Sequence, residues 1–426
     1  MSRIADAARA LRAVVKPPEK LPPRQLGVVL LVGIAYLINQ YDLGIFSLAL
    51  PQIQAGLGIG ESDLGYVTGL IRVGIVPAFA IAIMADRVGR RRVLMLTIAG
   101  TALATFATAF AQTPMQFALC QIACRGFMGA EEILSIVVVA EELDTRARGW
   151  GIGALSALGS LGHGLAALVF SLVDVLPHGW RALYVLGALP LVALIWLRRN
   201  LDETERYRRL AEARGDERVG LLAPLKALAT TYPGRLAALA ATTIPYSFAV
   251  AASLLFISKY LQEERGYSPG EVGLLYILVG GFATLGNLAA GRLSDRIGRR
   301  RVLAGAILVN SALFAVFYTG SGWILPLGWV AAIFTYFAVD VTLAAVSAEL
   351  FPTSYRSTAS AARLVFWASA AGAGLAVHGL LVPLFGAPSL ATAAMLATAP
   401  LGALVVLALM PETAARSLEE TAPERA

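Results

Sequence analysis

Long apolar runs with almost no charge recur along this chain from residue 26 to residue 410. Each is close to the ~20 residues that cross a lipid bilayer as a helix. Hydrocarbon offers no water to satisfy the backbone, so such runs can only become a helix bundle. Breaking them at charged or Gly/Pro clusters gives twelve spans: 26–50, 64–86, 92–111, 115–143, 149–175, 181–198, 236–262, 271–293, 301–320, 323–350, 356–384 and 388–410. The predicted fold class is an all-α polytopic membrane protein. Composition agrees: 57% of the 426 residues are hydrophobic and 15% charged, against about 25% charged in a soluble domain. Cys120 and Cys124 lie one turn apart with no second pair, so they read as small core residues, not as a metal site or disulfide framework.

The net charge of +7 would suggest a nucleic-acid partner in a soluble protein. Its distribution points elsewhere. Of the 35 Lys and Arg, three lie well inside spans (Arg72, Arg125, Arg363) and three in or at the edge of one set of loops (Arg181, Lys259, Arg265). The other 29 fall in the tails and the alternate loops, which by the positive-inside rule puts both termini in the cytoplasm. The basic charge addresses topology, and the partner is the bilayer, not nucleic acid. Residues 1–25 are polar and basic, without the short apolar core of a removable signal. The expected organisation is a cytoplasmic tail 1–25, a six-helix bundle 26–198, a cytoplasmic linker 199–235, a second six-helix bundle 236–410 and a tail 411–426.

The two bundles repeat. Ala85-Asp86-Arg87-Val88-Gly89-Arg90-Arg91-Arg92-Val93-Leu94 recurs as Ser294-Asp295-Arg296-Ile297-Gly298-Arg299-Arg300-Arg301-Val302-Leu303, 209 residues later. Glu141 to Arg148 matches Glu349 to Arg356 at an offset of 208, and Glu132 falls on Asp340. Parallel repeats clamping a midplane site are a known plan of secondary transporters. At these residues the chain resembles the major facilitator superfamily, whose loop between spans 2 and 3 reads G-x-x-x-D-R-x-G-R-[RK]. The second copy matches it with Gly291, Asp295, Arg296, Gly298, Arg299 and Arg300, and the first has Ala82 in place of the leading glycine. Further motifs are similar to the sugar-porter and metabolite:proton symporter branch. They are Tyr41-Asp42, Arg125-Gly126, Glu141 with Arg148-Gly149, Gly179-Trp180-Arg181, Pro352-Thr353 with Arg356, and Pro411-Glu412-Thr413. Asp202 to Tyr207 resembles that branch's motif after span 6 without its usual proline. The resemblance implies twelve helices in two six-helix pseudo-repeats.

The repeated loops predict a cytoplasmic gate. Asp86 ends span 2, Gly89 permits the reversal into span 3, and Arg90 or Arg91 is within reach of Glu141 near Arg148. The second half repeats this with Asp295, Arg299 or Arg300, Glu349 and Arg356. Such ion pairs favour a state whose inner ends are together. The alternative is that these arginines only fix topology.

Ionisable groups inside a bilayer cost several kcal/mol and by default serve function. At 1.5 Å per residue, Asp42 and Arg72 lie about 12 Å deep and Arg125 about 15 Å, one level. Asp42 beside Arg125 is the sharpest expectation: an ion pair that a proton on Asp42 dissolves, freeing the arginine. The resemblance implies the same proton-coupling roles for the acid in span 1 and the arginine in span 4. A static pair joining spans 1 and 4 is the alternative. Two arginines against one carboxylate leave a spare positive charge for an anionic solute at Arg72. Glu131 and Glu132 point about 100° apart on their helix, so one lines the cavity and Glu132 carries a second proton. His163, with Tyr246, Asn287, Tyr336, Asp340 and Trp367, completes the expected solute contacts, His163 having the alternative of a satisfied buried histidine. Arg363, two turns into span 11, is expected to snorkel to the cytoplasm.

No P-loop and no catalytic or metal constellation occurs in the chain. The expectation is a cofactor-free monomeric transporter in a bacterial inner membrane, not an enzyme. It would import a small organic solute with protons by alternating access, a carboxylate before a sugar. A proton-coupled exporter and a solute sensor that moves nothing are the rivals.

Overall fold

The computed structural model describes residues 21–143, 147–197, 223–352 and 355–413. Each predicted span has its helix. These are α1 (Pro23–Leu48), α2 (Glu61–Ile71, a 3-10 turn at Arg72–Gly74, then Ile75–Val88), α3 (Arg90–Thr108), α4 (Pro114–Glu142), α5 (Arg148–Phe170) and α6 (Trp180–Leu197). After Ala223–Thr231 come α7 (Pro233–Leu255), α8 (Pro269–Ile297), α9 (Arg299–Thr319), α10 (Ile324–Glu349), α11 (Arg356–Phe385) and α12 (Pro388–Met395, a turn at Leu396–Thr398, then Ala399–Leu409). No strand occurs among the described residues. Eight of the described helices are long and apolar enough to cross a bilayer by length and composition.

Local chemistry sets the helix starts. Thr113 accepts a hydrogen bond from the Gln116 N–H ahead of Pro114, and Ser268 with Glu271 closes a capping box ahead of Pro269. Proline is favoured there because its missing N–H would be unpaired in any case. Large apolar side chains such as Leu103, Leu161, Leu168, Leu278 and Leu404 stand exposed. That outward apolar surface suits lipid, not water.

Contacts divide the chain into two compact units, Met1–Phe46 with Gly74–Glu217 and Ser47–Val73 with Arg218–Ala426. Residues 47–73 belong to the first six spans by sequence and to the second unit by packing. Both crossing points are irregular. α1 ends at Leu48 just before Leu50–Leu57, and the 3-10 turn of α2 falls at Arg72–Gly74.

Close approach over glycine holds each unit. In the first, a Cβ on Gly162 of α5 would stand 2.1 Å from the Leu37 carbonyl oxygen of α1. In the second, a Cβ on Gly65 or Gly69 of α2 would meet α11 at 2.3 Å from Leu375 O or 2.6 Å from Gly372 O. This G-x-x-x-G pair lets two backbones touch where lipid offers no hydrophobic drive for association. The duplicated loops also share a backbone: Gly89 and Gly298 both have φ 109° and ψ 139°, a conformation that only glycine adopts without strain.

Candidate functional site

In the first unit the described polar core centres on Asp42. The residue is 5% exposed on α1. Its Oδ2 accepts hydrogen bonds from Thr105 Oγ1 of α3 at 2.9 Å and from Cys124 Sγ of α4 at 3.1 Å. Oδ1 is buried with no hydrogen-bond partner among the described residues. Tyr41 Oη donates to the Leu183 carbonyl of α6 at 3.0 Å, fixing this turn of α1 from the other side. Arg125 follows Cys124 on α4, and its guanidinium lies 5.0 Å from the centre of the Phe46 ring. Among the described residues Asp42 forms no ion pair within 4 Å; Arg125 acts on it through the field alone. The expected contact pair is therefore a carboxylate held by two neutral donors beside a guanidinium held by an aromatic ring.

Glu132 accepts from Tyr36 Oη at 3.2 Å, joining α4 to α1, while Glu131 is fully buried. His163 turns back on its own helix, with Nδ1 3.3 Å from Gly159 O.

In the second unit three aromatic rings and two charges gather on α7, α10 and α11. The Trp367 ring centre is 5.9 Å from that of Tyr246 and 6.3 Å from that of Tyr336. Tyr246 Oη donates to Asn310 Oδ1 at 2.9 Å. The Asn310 amide in turn donates to Ala332 O at 2.8 Å and Thr335 Oγ1 at 3.1 Å. Arg363 Nη1 is 3.5 Å from Asp340 Oδ1, and Asp340, Arg72 and Arg363 all act electrostatically on Tyr336. Arg363 does not snorkel: its side chain is 13% exposed. An acid one turn-layer away on α10 gives it a partner inside the bundle. Arg72 lies in this unit, where its stem packs near Gly372 of α11, whereas Asp42 and Arg125 lie in the other.

The repeated-loop cluster of the second unit is more tightly knit. Arg299 Nε donates to both carboxylate oxygens of Glu349, at 3.0 and 2.9 Å, and Nη2 is 2.9 Å from Oε1. Thr413 Oγ1 donates to Glu349 Oε2 at 2.6 Å. Glu412 accepts from the backbone N–H of Arg299 at 2.8 Å and of Arg300 at 3.3 Å, neutralising the start of α9. Of the two candidate partners for Glu349, Arg299 makes the pair, and Arg300 reaches the Leu407 carbonyl. In the first half, Glu141 is half-buried in the last turn of α4. The side chains of Asp86, Arg90, Arg91, Arg148, Asn287, Asp295 and Arg356 lie outside those described.

Several functional candidates escaped the sequence. Thr105 and Cys124 carry no charge to draw notice. Cys124 is buried, as a core residue would be, yet its S–H serves Asp42. Lys259, read as a loop cation, is 3% exposed. Its Nζ donates to Gln54 at 2.7 Å, to Glu61 at 2.9 Å and to Glu263. The i,i+4 spacing of Lys259 and Glu263 was a legible signal of the last contact.

The family model described as Major Facilitator Superfamily matches residues 32–257 and again 238–425. The chain is 26% identical over 336 residues to the probable 4-methylmuconolactone transporter of Cupriavidus pinatubonensis, covering 75% of each chain. It is 26% identical over 310 residues to the gallate transporter of Pseudomonas putida, covering 70% of this chain and 65% of that one. Among solved structures it is similar to the inward-open xylose transporter XylE of E. coli, with a TM-score of 0.74 at 17% identity, covering 93% of this chain and 99% of that one.

Proposed function

The chain belongs to the Major Facilitator Superfamily and is a membrane transporter of small molecules, not an enzyme, and from that premise we propose that it imports a small organic carboxylate together with protons. Asp42 carries this proposal. A buried acid with one oxygen fastened and the other unpaired is a group that can take a proton without breaking a hydrogen bond. While ionised, it offsets the charge of Arg125. Once protonated, it leaves that guanidinium uncompensated in a low-dielectric core, which favours uptake of an anionic solute through its field. Release of solute and proton to the cytoplasm resets the pair. Glu132, shared with Tyr36, is the candidate second proton carrier. The relatives named for a muconolactone and for gallate support an unsaturated or aromatic acid as cargo. A bacterial inner membrane with both termini cytoplasmic suits this reading.

The test is uptake of labelled gallate and cis,cis-muconate into proteoliposomes under an inward proton gradient, with a pH electrode following the medium. Protons that move with the solute support symport. Protons that move against it would establish antiport and turn the reading to export. Asp42→Asn is expected to abolish gradient-driven accumulation while preserving solute counterflow. Undiminished accumulation in that variant would remove Asp42 from the mechanism.

A further inference from the structure

Two ion pairs of the second unit differ in a way that sets one of them apart. Arg299 and Glu349 make three contacts at 2.9–3.0 Å, and their side chains are 16% and 21% exposed. That is the geometry of a pair built to stay. Arg363 touches Asp340 through one atom pair at 3.5 Å. Its Nε is buried without a hydrogen-bond partner among the described residues. The burial is lopsided as well: the arginine side chain is 13% exposed, the aspartate 43%. A guanidinium has five donors in a planar fork and prefers a bidentate anion. Here it is buried, under-used and paired with an acid that stands half in the open.

The surroundings suggest what completes it. Trp367 follows Arg363 by one turn on α11, and Tyr336 precedes Asp340 by one turn on α10. Residues four apart share a helix face. The anion-binding group and the aromatic rings are thus stacked about 6 Å apart along both helices, within the length of an aryl or conjugated-diene carboxylate.

We propose that Arg363 binds the solute carboxylate and that Asp340 is a built-in stand-in which the solute displaces, the flat part of the solute resting against Trp367 and Tyr336. This rests on the carboxylate reading above and names a residue for it. The stand-in keeps a buried cation compensated while the site is empty, and its looseness lets a better-fitting anion take over. A neutral solute gains nothing from the exchange.

The two members of one ion pair then have opposite effects, which a merely structural pair does not. Full-length protein in nanodiscs is titrated with labelled gallate and cis,cis-muconate, each against its neutral amide. Arg363→Ala is expected to weaken binding of the acids about 10-fold or more, as for loss of hydrogen bonds to a charged group, and to leave amide competition unchanged. Arg363→Lys recovers part of the loss. Asp340→Asn, which removes the competing charge, tightens the acids severalfold. Should Arg363→Ala fail to fold, Asp340→Asn decides alone: tighter binding supports the exchange, while unchanged or weaker binding overturns it. Wild-type protein that binds neither acid would defeat the carboxylate reading itself. Wild-type binding indifferent to Arg363 would defeat only this inference.

Discussion

Asp42 and Asp340 are the same residue type in two halves of one duplicated chain, handled in opposite ways. Asp42 is sealed, 5% exposed, with a hydroxyl and a thiol on one oxygen and no cation in contact. Asp340 stands 43% open against an arginine. An acid held by neutral donors in a dry core changes charge by taking a proton. An acid held by a guanidinium in the open changes partners instead. Duplication did not produce either arrangement. The repeat offset places Val250 or Ala251 opposite Asp42, and Ala154 or Leu155 opposite Arg363. The duplicated Gly89 and Gly298 build the scaffold; of the residues that carry the proposed chemistry, Asp42 and Arg363 have no charged counterpart, whereas Asp340 falls on Glu132.

The largest test of this contrast is energetic coupling. One proton moving down a pH unit supplies about 1.4 kcal/mol, a tenfold gradient, so a two-unit gradient sustains about 100-fold accumulation. Asp42→Asn is expected to lower that ratio to equilibration, while Asp340→Asn keeps it. Equal loss in both variants, measured by uptake at matched protein density, breaks the distinction. Next comes the tight pair. Glu349→Gln strips a charge from the contacts of Arg299 and is expected to cost about 3 kcal/mol of stability, read as a lowered melting temperature in nanodiscs. Asp340→Asn should melt near wild type if its pair is loose. Lys259→Met probes a buried cation whose acids, Glu61 and Glu263, are 45% and 40% exposed. Solvent screening reduces its expected cost to about 1.5 kcal/mol. Ser268→Ala removes the cap of α8 for about 1 kcal/mol and marks the small end of the scale; a Glu349→Gln loss no larger than this would show the tight pair to be ornamental.

The architecture was legible because it follows from periodicity and solvent. Apolar runs of bilayer length, arginines concentrated in alternate loops and a glycine in a repeated turn each act through nearby residues, and each predicted span has a helix. The pairing of Glu349 with Arg299 or Arg300 was also foreseen, since two copies of one motif narrowed the choice. What escaped was contact between distant segments. Asp42 was expected against Arg125 because charges attract. The structure instead aims Thr105 and Cys124 at the carboxylate, and no sequence rule ranks a neutral donor above a cation. Arg363 was expected to reach for water because its depth alone suggested it; the acid that holds it inside sits 23 residues earlier on another helix.

By itself, then, the sequence determined that the chain is a bundle of twelve membrane-spanning helices in two related halves. Bilayer length, backbone satisfaction and loop charge are properties of short stretches, so they survive being read in one dimension. Tertiary structure alone decided that one sheltered acid is sealed and the other left open, and that residues 47–73 join the second unit. Those outcomes depend on which side chains from distant helices arrive within about 3 Å of one oxygen, the reach of a hydrogen bond. Only packing sets that distance.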